Sequence, residues 1–283
     1  KYRHMVRVNY LNNRDLLKEI HKSKCTYSSF LTKYDRDYDI IVNSIKEIDS
    51  KTIDQAKQNR AARLAKDAYY EHVKEHGKKG VKQSDFEIDP SSYSKSDVVF
   101  RVMTFDHILE EPNRKKTPKT VADVHTKLNF PPFQHWRYIE DNTLTLVGKS
   151  HWKGDIITGK FCKDHGRMTD ELGRMFMKLC ERYGTRSNWR GYTYNDEMRG
   201  QALLQLSQIG LQFDESKSEN PFAYYTAAIT NSFTRVLNIE KKNQNIRDDI
   251  LEMNGMNPSW TRQNEGRDNG LEHERGISVD RDD

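Results

Sequence analysis

No uninterrupted apolar run in the 283 residues approaches the roughly 18 needed to cross a membrane, so no transmembrane helix is expected. The opening stretch, "KYRHMVRVNY", lacks the apolar core and cleavage pattern of a secretory signal. Cysteine is scarce. Cys25, Cys162 and Cys180 form an odd, scattered set, which argues against a disulfide framework and for a reducing compartment. A strong charge of one sign is also missing. The formal net charge is +5, so a surface for an acidic partner has to come from local clustering. There is no Gly-rich phosphate loop, nucleophile elbow or paired-histidine helix motif, so neither an enzymatic activity nor a cofactor is expected. No internal repeat is visible.

What is present is a chain with 35% hydrophobic and 31% charged residues, a balance that predicts a thin core under long polar surfaces. The length suits two modest domains, or one domain with a large insertion. Residues 11–22 read as a short capped helix. Residues 52–76 read as a longer one, starting near Thr52 or Asp54, carrying Ile53, Ala56, Leu64, Ala68 and Val73, and stopping at Gly77. After a basic connection, "DVVFRVMTF" is β-rich, and "YIEDNTLTLV" reads as a hairpin turning at Asp141-Asn142. A charged loop, "EEPNRKKTPKT", lies between them. Residues 78–158 thus read as a small α+β insertion, with Phe100, Phe105, Phe130, Phe133, Trp136 and Trp152 as a core of its own.

From Met168 the pattern is helical. Met168, Leu172, Met175, Phe176, Leu179, Cys180 and Tyr183 recur at three- and four-residue steps, and Thr169, Asp170 and Glu171 suit a helix start. A second helix begins at Asn195, with Met198, Ala202, Leu206, Ile209 and Phe213 as its buried stripe. A third has Asn220 as cap and Pro221 at its first position, and buries Phe222, Tyr225, Ile229, Phe233 and Val236. "IRDDILEMNG" reads as a shorter fourth helix, stopped by Asn254-Gly255. The last twenty or so residues have almost no apolar content and are expected to be disordered.

Two polar stripes carry the functional signal. On the second helix Glu197, Gln201, Gln205, Gln208 and Gln212 share one face. A solvated face explains the spacing, yet solvated faces usually mix Lys with Glu. An amide row with one carboxylate suits hydrogen bonding to a protein partner at low desolvation cost. On the third helix Tyr224, Ala228, Asn231, Arg235, Asn238 and Lys242 align, with Thr234 and Lys241 beside them. Arg and Lys neutralise phosphate or read guanine, Asn pairs with adenine, and Tyr stacks an unpaired base. An ordinary basic helix end accounts for the lysines, which complement the helix dipole. It does not account for the residues upstream. His151, Cys162 and His165 fall within fifteen residues and are metal-ligand types, but the single Cys-x-x-His pair fits no standard zinc spacing, so no metal is expected.

Three linked stretches, "MFMKLCERY", "DEMRGQALLQLSQIGLQFDESKSENPFAYY" and "TNSFTRVLNIEKKN", resemble region 2 of bacterial sigma factors. The likeness is greatest to the late-transcription sigma factors of T-even-type phages. "NWRGYTYNDEM" and "FDESKSENPFAYYTAAITNSFTRVLN" look like that family's core, and "YLNNRDLLKEI" like its N-terminal stretch. The insertion, with "FRVMTFDHI", "LNFPPFQHWR" and "VGKSHW", looks like the extended version carried by phages of marine cyanobacteria. The resemblance implies a mainly α protein, a region 2-like helical bundle with a small α+β insertion and a disordered C-terminal tail. Its divisions would be an N-terminal arm at 1–24, a helical segment and insertion at 25–158, the helical core at 159–254 and a charged tail at 255–283.

The resemblance further implies a non-enzymatic sigma factor, without metal or cofactor, in the cytoplasm of an infected bacterial host. It would bind core RNA polymerase at the clamp helices of the largest subunit through Glu197, Gln201, Gln205, Gln208 and Gln212. It would read a −10-like promoter element and hold the melted strand through Tyr224, Tyr225, Asn231, Thr234, Arg235, Asn238, Lys241 and Lys242. A phage sliding clamp and a co-activator are further candidate partners. The sequence departs from the family in three ways. Ala227 and Ala228 stand where housekeeping members carry tryptophans, which leaves Tyr224 and Tyr225 as the aromatics for strand separation. No region 4 match follows, so reading of a −35 element is not expected. "RGISVDRDD" does not match the family's hydrophobic clamp-binding tail. Two other readings stay open: a polymerase-clamp-binding co-activator or anti-sigma-like protein that does not read DNA, and a zinc-containing nuclease accessory built on His151, Cys162 and His165.

Overall fold

The computed structural model describes residues 11–77, 80–109, 118–139 and 143–264. The expected loop at 110–117, the hairpin turn at Asp141-Asn142 and the tail beyond 264 lie wholly or largely outside them. About 53% of the described residues are helical and 12% lie in strands, so the protein is mainly α with a small sheet. The chain divides into two compact units, 1–179 with 206–226, and 180–205 with 227–283.

The first unit begins with α1 (Asn13–Cys25), capped by Asn12, whose side chain accepts from the Asp15 amide. A long helix, α2 (Ser50–His76), starts two residues earlier than the apolar pattern suggests. The reason is Asp49, whose carboxylate accepts from the Thr52 amide and so supplies the cap. It ends at Gly77, where φ is +86°, a region that favours glycine. Five strands form one sheet: β1 (Ser28–Phe30), β2 (Ile40–Val42), β3 (Val99–Met103), β4 (Phe133–Ile139) and β5 (Thr143–Ser150). Their order is β1-β5-β4-β3-β2; β2 is parallel to β3 and the other pairs are antiparallel. A two-stranded ribbon, β6 (Trp152–Lys153) with β7 (Lys160–Phe161), follows.

Residues 78–158 therefore do not make a sheet alone. Both edge strands come from the chain before them, and Phe100 and Val98 share their buried cluster with Ala56 of α2, flanked by Ile40, Ile48 and Ile53. Asp39 fastens the junction. Its buried carboxylate accepts from the Val99 amide at 2.9 Å, from Arg63 at 2.6 Å and from Arg60 at 3.2 Å.

The other face of the sheet carries a buried polar cluster. Arg101, on the central region of β3, is 1% exposed. Its guanidinium lies between the rings of Tyr38 and Phe133, at 3.7 and 3.9 Å from their centres, and donates to His135 Nε2 at 3.0 Å. Lys24 of α1 donates to the Phe213 carbonyl and to the Glu215 carboxylate, each at 2.6 Å, and Arg101 approaches the same carboxylate at 3.9 Å. Burial alone would raise the Glu215 carboxyl, but Lys24 and Arg101 together outweigh it and hold it below its ordinary range.

Three further helices, α3 (Asp170–Gly184), α4 (Asn195–Ile209) and α5 (Pro221–Met253), are each divided between the two units. In the first unit Phe176 stacks edge-on with Tyr225 at 4.8 Å, and the Tyr225 hydroxyl donates to the Gly210 carbonyl at 2.6 Å. A side chain at Gly210 would collide with the Phe176 ring, at 2.5 Å from its nearest carbon, which is why α4 ends there in a glycine. In the second unit Phe233 sits edge-on to Tyr183 at 5.1 Å and Trp189 at 5.4 Å. Asn195 ties the intervening loop down by donating to the carbonyls of Gly184 and Trp189.

One expectation fails here. The third and fourth sequence helices are a single 33-residue helix, because nothing between Asn238 and Ile246 breaks it. The stop is where expected: Gly255 has φ +70°, and the Met256 amide returns to the Leu251 carbonyl at 2.8 Å. The beginning of the supposedly disordered tail is ordered as well. Residues 260–264 are helical, and Ser259 donates to the Asp248 carboxylate from both its amide and its hydroxyl.

Two outcomes are expected. Glu215→Ala leaves two buried cations without their carboxylate and should cost about 3–5 kcal/mol in urea unfolding; a loss below 1 kcal/mol would mean the cluster is not coupled to folding. Burial also pushes the imidazoles of His107 and His151 down to about 4 and about 3, from an ordinary 6.5. Both are neutral in the fold, whereas the unfolded chain binds their protons first. Their contribution is complete above about pH 6.5 and is lost as pH falls toward 4 and 3. The urea midpoint should therefore drop over that window, and His107→Gln should flatten the drop. An identical slope in the variant would contradict this.

Candidate functional site

The polar ridge of α5 lies within the second unit. Ile229, Phe233 and Val236 are buried and fix which side of the helix faces its core. The opposite side then presents Asn231, Thr234, Arg235, Asn238, Lys241 and Lys242, all exposed. Five of them, Asn231, Thr234, Arg235, Asn238 and Lys242, line one shallow concavity with Ile239. Thus six of the eight residues expected to meet DNA stand together on one ridge.

Elsewhere Arg14, Arg60, Arg63, Arg137 and Arg262 each pair with a carboxylate, whereas Arg36, Arg182, Arg190 and Arg247 pair with none among the described residues. Among the described residues, Arg235, Lys241 and Lys242 form no ion pair. Three cations left unneutralised along two turns, interleaved with two asparagines and a threonine, make a surface suited to phosphates with amides beside them.

The two tyrosines are placed otherwise. Tyr225 is fully buried in the first unit, its hydroxyl committed to Gly210, and is not available to stack a base. The DNA contact that the resemblance implies for Tyr225 is corrected on that ground: the residue lies on the buried stripe with Ile229, where helical spacing puts it. Tyr224 is half-buried, its ring edge-on to Phe213 at 5.6 Å and to Tyr225 at 5.3 Å. Burial raises its phenol above the ordinary value.

On α4 the amide row is divided. Glu197, Gln201 and Gln208 are exposed, whereas Gln205 and, in the turn that follows α4, Gln212 are half-buried. Gln201 donates to Glu197 at 2.9 Å, so these two side chains hold each other along the helix. Leu204, 53% exposed, adds an apolar group to this helix surface, which the polar pattern alone did not single out.

His151, Cys162 and His165 do not assemble a ligand set. The His151 ring is buried against Phe130 at 4.1 Å, its carbonyl accepts from the Cys162 amide, and the His165 ring meets Tyr27 edge-on at 5.9 Å. No group of three His, Cys, Asp or Glu side chains able to hold a metal occurs among the described residues.

Ridge and core substitutions should separate cleanly. Arg235→Ala and Asn238→Ala should change unfolding free energy by less than about 0.5 kcal/mol, as exposed positions do. Phe233→Ala, which removes the ring packed against Tyr183 and Trp189, should cost about 3–5 kcal/mol. A ridge variant that unfolds like Phe233→Ala would show that the ridge is packed in solution. Comparison with protein-family models, with curated proteins and with solved structures gave no match to this chain.

Proposed function

We propose that the protein is a sigma-type transcription factor of phage late genes, which binds bacterial core RNA polymerase and directs it to a short −10-like promoter element. The observation that carries this reading is the unneutralised ridge of α5, where Asn231, Thr234, Arg235, Asn238, Lys241 and Lys242 stand exposed along one side of a helix whose other side is locked in a core. The sequence resemblance to sigma region 2 is consistent with it. On this reading Asn231 and Asn238 contact base edges, Arg235 contacts guanine or phosphate, and Lys241 and Lys242 engage phosphates further along. Glu197, Gln201 and Gln208 of α4 meet the clamp helices of the polymerase's largest subunit, with the protein acting in the cytoplasm of the infected host. No step of catalysis falls to its own residues.

A second reading is a co-activator or anti-sigma-like protein that binds polymerase without reading DNA. The exposed apolar groups Leu204, Ile246, Ile250 and Met253 favour it, since they suit a protein partner better than a nucleic acid.

Run-off transcription with core polymerase on supercoiled phage DNA separates the two. Discrete start sites should appear only when the protein is added. Asn231→Ala and Arg235→Ala should lower initiation at those sites by several-fold or more, because one good base contact is worth about 1–3 kcal/mol. Co-purification with polymerase should be unchanged in both, and weakened instead by Glu197→Lys and Gln201→Lys. Full polymerase binding without any new start site would favour the second reading.

A further inference from the structure

The sheet face that carries Phe100 is covered by α2 only in part. Phe100 pairs in register with Trp136, and Val102 with Gln134, so Trp136 and Gln134 lie on that same face. Past the Ala56 contact the face opens into a cleft of about 770 Å³. Trp136, Trp152 and Phe161 supply its aromatic lining, Lys149 and Lys160 its cations, and Asp106 is the one carboxylate among its lining residues.

The floor is held by a chain of hydrogen bonds. The Trp136 indole donates to Gln134 Oε1 at 3.1 Å, Gln134 Nε2 donates to His107 Nδ1 at 3.3 Å, and His107 Nε2 donates to the Ser150 carbonyl at 2.9 Å. This sequence works only with His107 neutral and protonated on Nε2, the state its burial favours. Trp152 donates its indole N–H to the Asp155 carbonyl at 2.9 Å. Both tryptophans are thus fixed in orientation with their donors spent inside the protein. What they offer a ligand is ring surface. Lys149 lies 4.1 Å from the centre of the Trp152 ring while donating to the Ile156 carbonyl, and Lys160 is exposed at the rim.

Preset aromatic surfaces with spent donors are poor readers of sugar hydroxyls. They also lack the free indole N–H that a proline-rich peptide's carbonyls would accept from. Ring faces beside two cations suit a planar, phosphate-linked ligand instead, and duplex DNA does not present its base faces. We propose that this cleft binds single-stranded nucleic acid, with unpaired bases stacking on Trp136 and Trp152 and the flanking phosphates meeting Lys149 and Lys160. This site is separate from the α5 ridge and does not depend on the reading of that ridge.

The test is fluorescence anisotropy with a labelled single-stranded DNA of about twelve nucleotides, within the usual span of such sites. The full chain carries Arg235→Ala and Lys242→Ala throughout, so that the ridge does not contribute. Trp152→Ala and Trp136→Ala should each weaken binding about 10-fold, inside the range for loss of one stacked base. Trp136 also packs against the Phe100 cluster, so the exposed Lys160→Glu serves as the variant that cannot disturb the core. It should weaken binding several-fold and reduce the salt dependence. Wild-type affinity in both Lys160→Glu and Trp152→Ala would overturn the proposal. So would equal binding of an abasic oligomer of the same length, tighter binding of a proline-rich peptide, or loss of all binding in the ridge double variant alone.

Discussion

A single carboxylate, Glu215, organises the first unit. It stands in the link between α4 and α5, buried where Lys24 of α1 and Arg101 of β3 converge on it. Three positions separated by some 75 to 190 residues of chain are thereby tied to one point. Bringing an ammonium and a guanidinium out of water is costly, and one carboxylate repays it only when the geometry is tight and the remaining donors are used. Here they are used: Lys24 also reaches the Phe213 carbonyl, and Arg101 reaches His135 and His21 between two aromatic rings. An apolar replacement could fill the same space. It would not specify which helix, strand and link meet there, and specification is the better account of why so polar a cluster is buried.

The cluster also fixes how α5 begins. Glu215 precedes the helix by a few residues, and the first free amides of α5 are taken up nearby, Phe222 by the Asn13 side chain and Ala223 by Asn220. Tyr225 then anchors to Gly210. Every device at this end of the helix is structural, which is why the tyrosines read as DNA contacts from the sequence are drawn into packing. The ridge that remains for a ligand starts at Asn231, where the buried stripe has passed to Ile229, Phe233 and Val236 in the second unit.

Helical periodicity made much of this legible. The stripes of α3 and α4, the Asn220-Pro221 start and the Gly255 stop all stand near where local rules place them, since each depends on residues three or four apart. The ridge was legible for the same reason. What local rules could not show is long-range pairing. Arg101 looks like a polar interruption in a β-rich run, and Lys24 like one more cation closing α1; nothing within ten residues of either names Glu215. The edge strands at 28–30 and 40–42 are only three residues each, too short to carry a period, so local pattern places strands in the insertion alone. The unneutralised state of Arg235, Lys241 and Lys242 was likewise hidden, because pairing is decided by the fold. For Tyr225 the helical spacing was the better guide: a helix turns by about 100° per residue, so it faces the core beside Ile229 while its neighbour Tyr224 does not, and the DNA role implied by the resemblance does not hold.

On the proposed function, the outer ridge of α5 faces nucleic acid in a polymerase-dependent complex. The most direct measurement is site-specific photocrosslinking from position 238, in the middle of that ridge, within the full chain assembled with core polymerase on template DNA. Crosslinks to DNA upstream of the start site are expected, and only when polymerase is present. Crosslinks from position 238 to a polymerase subunit, with none to DNA, would contradict it.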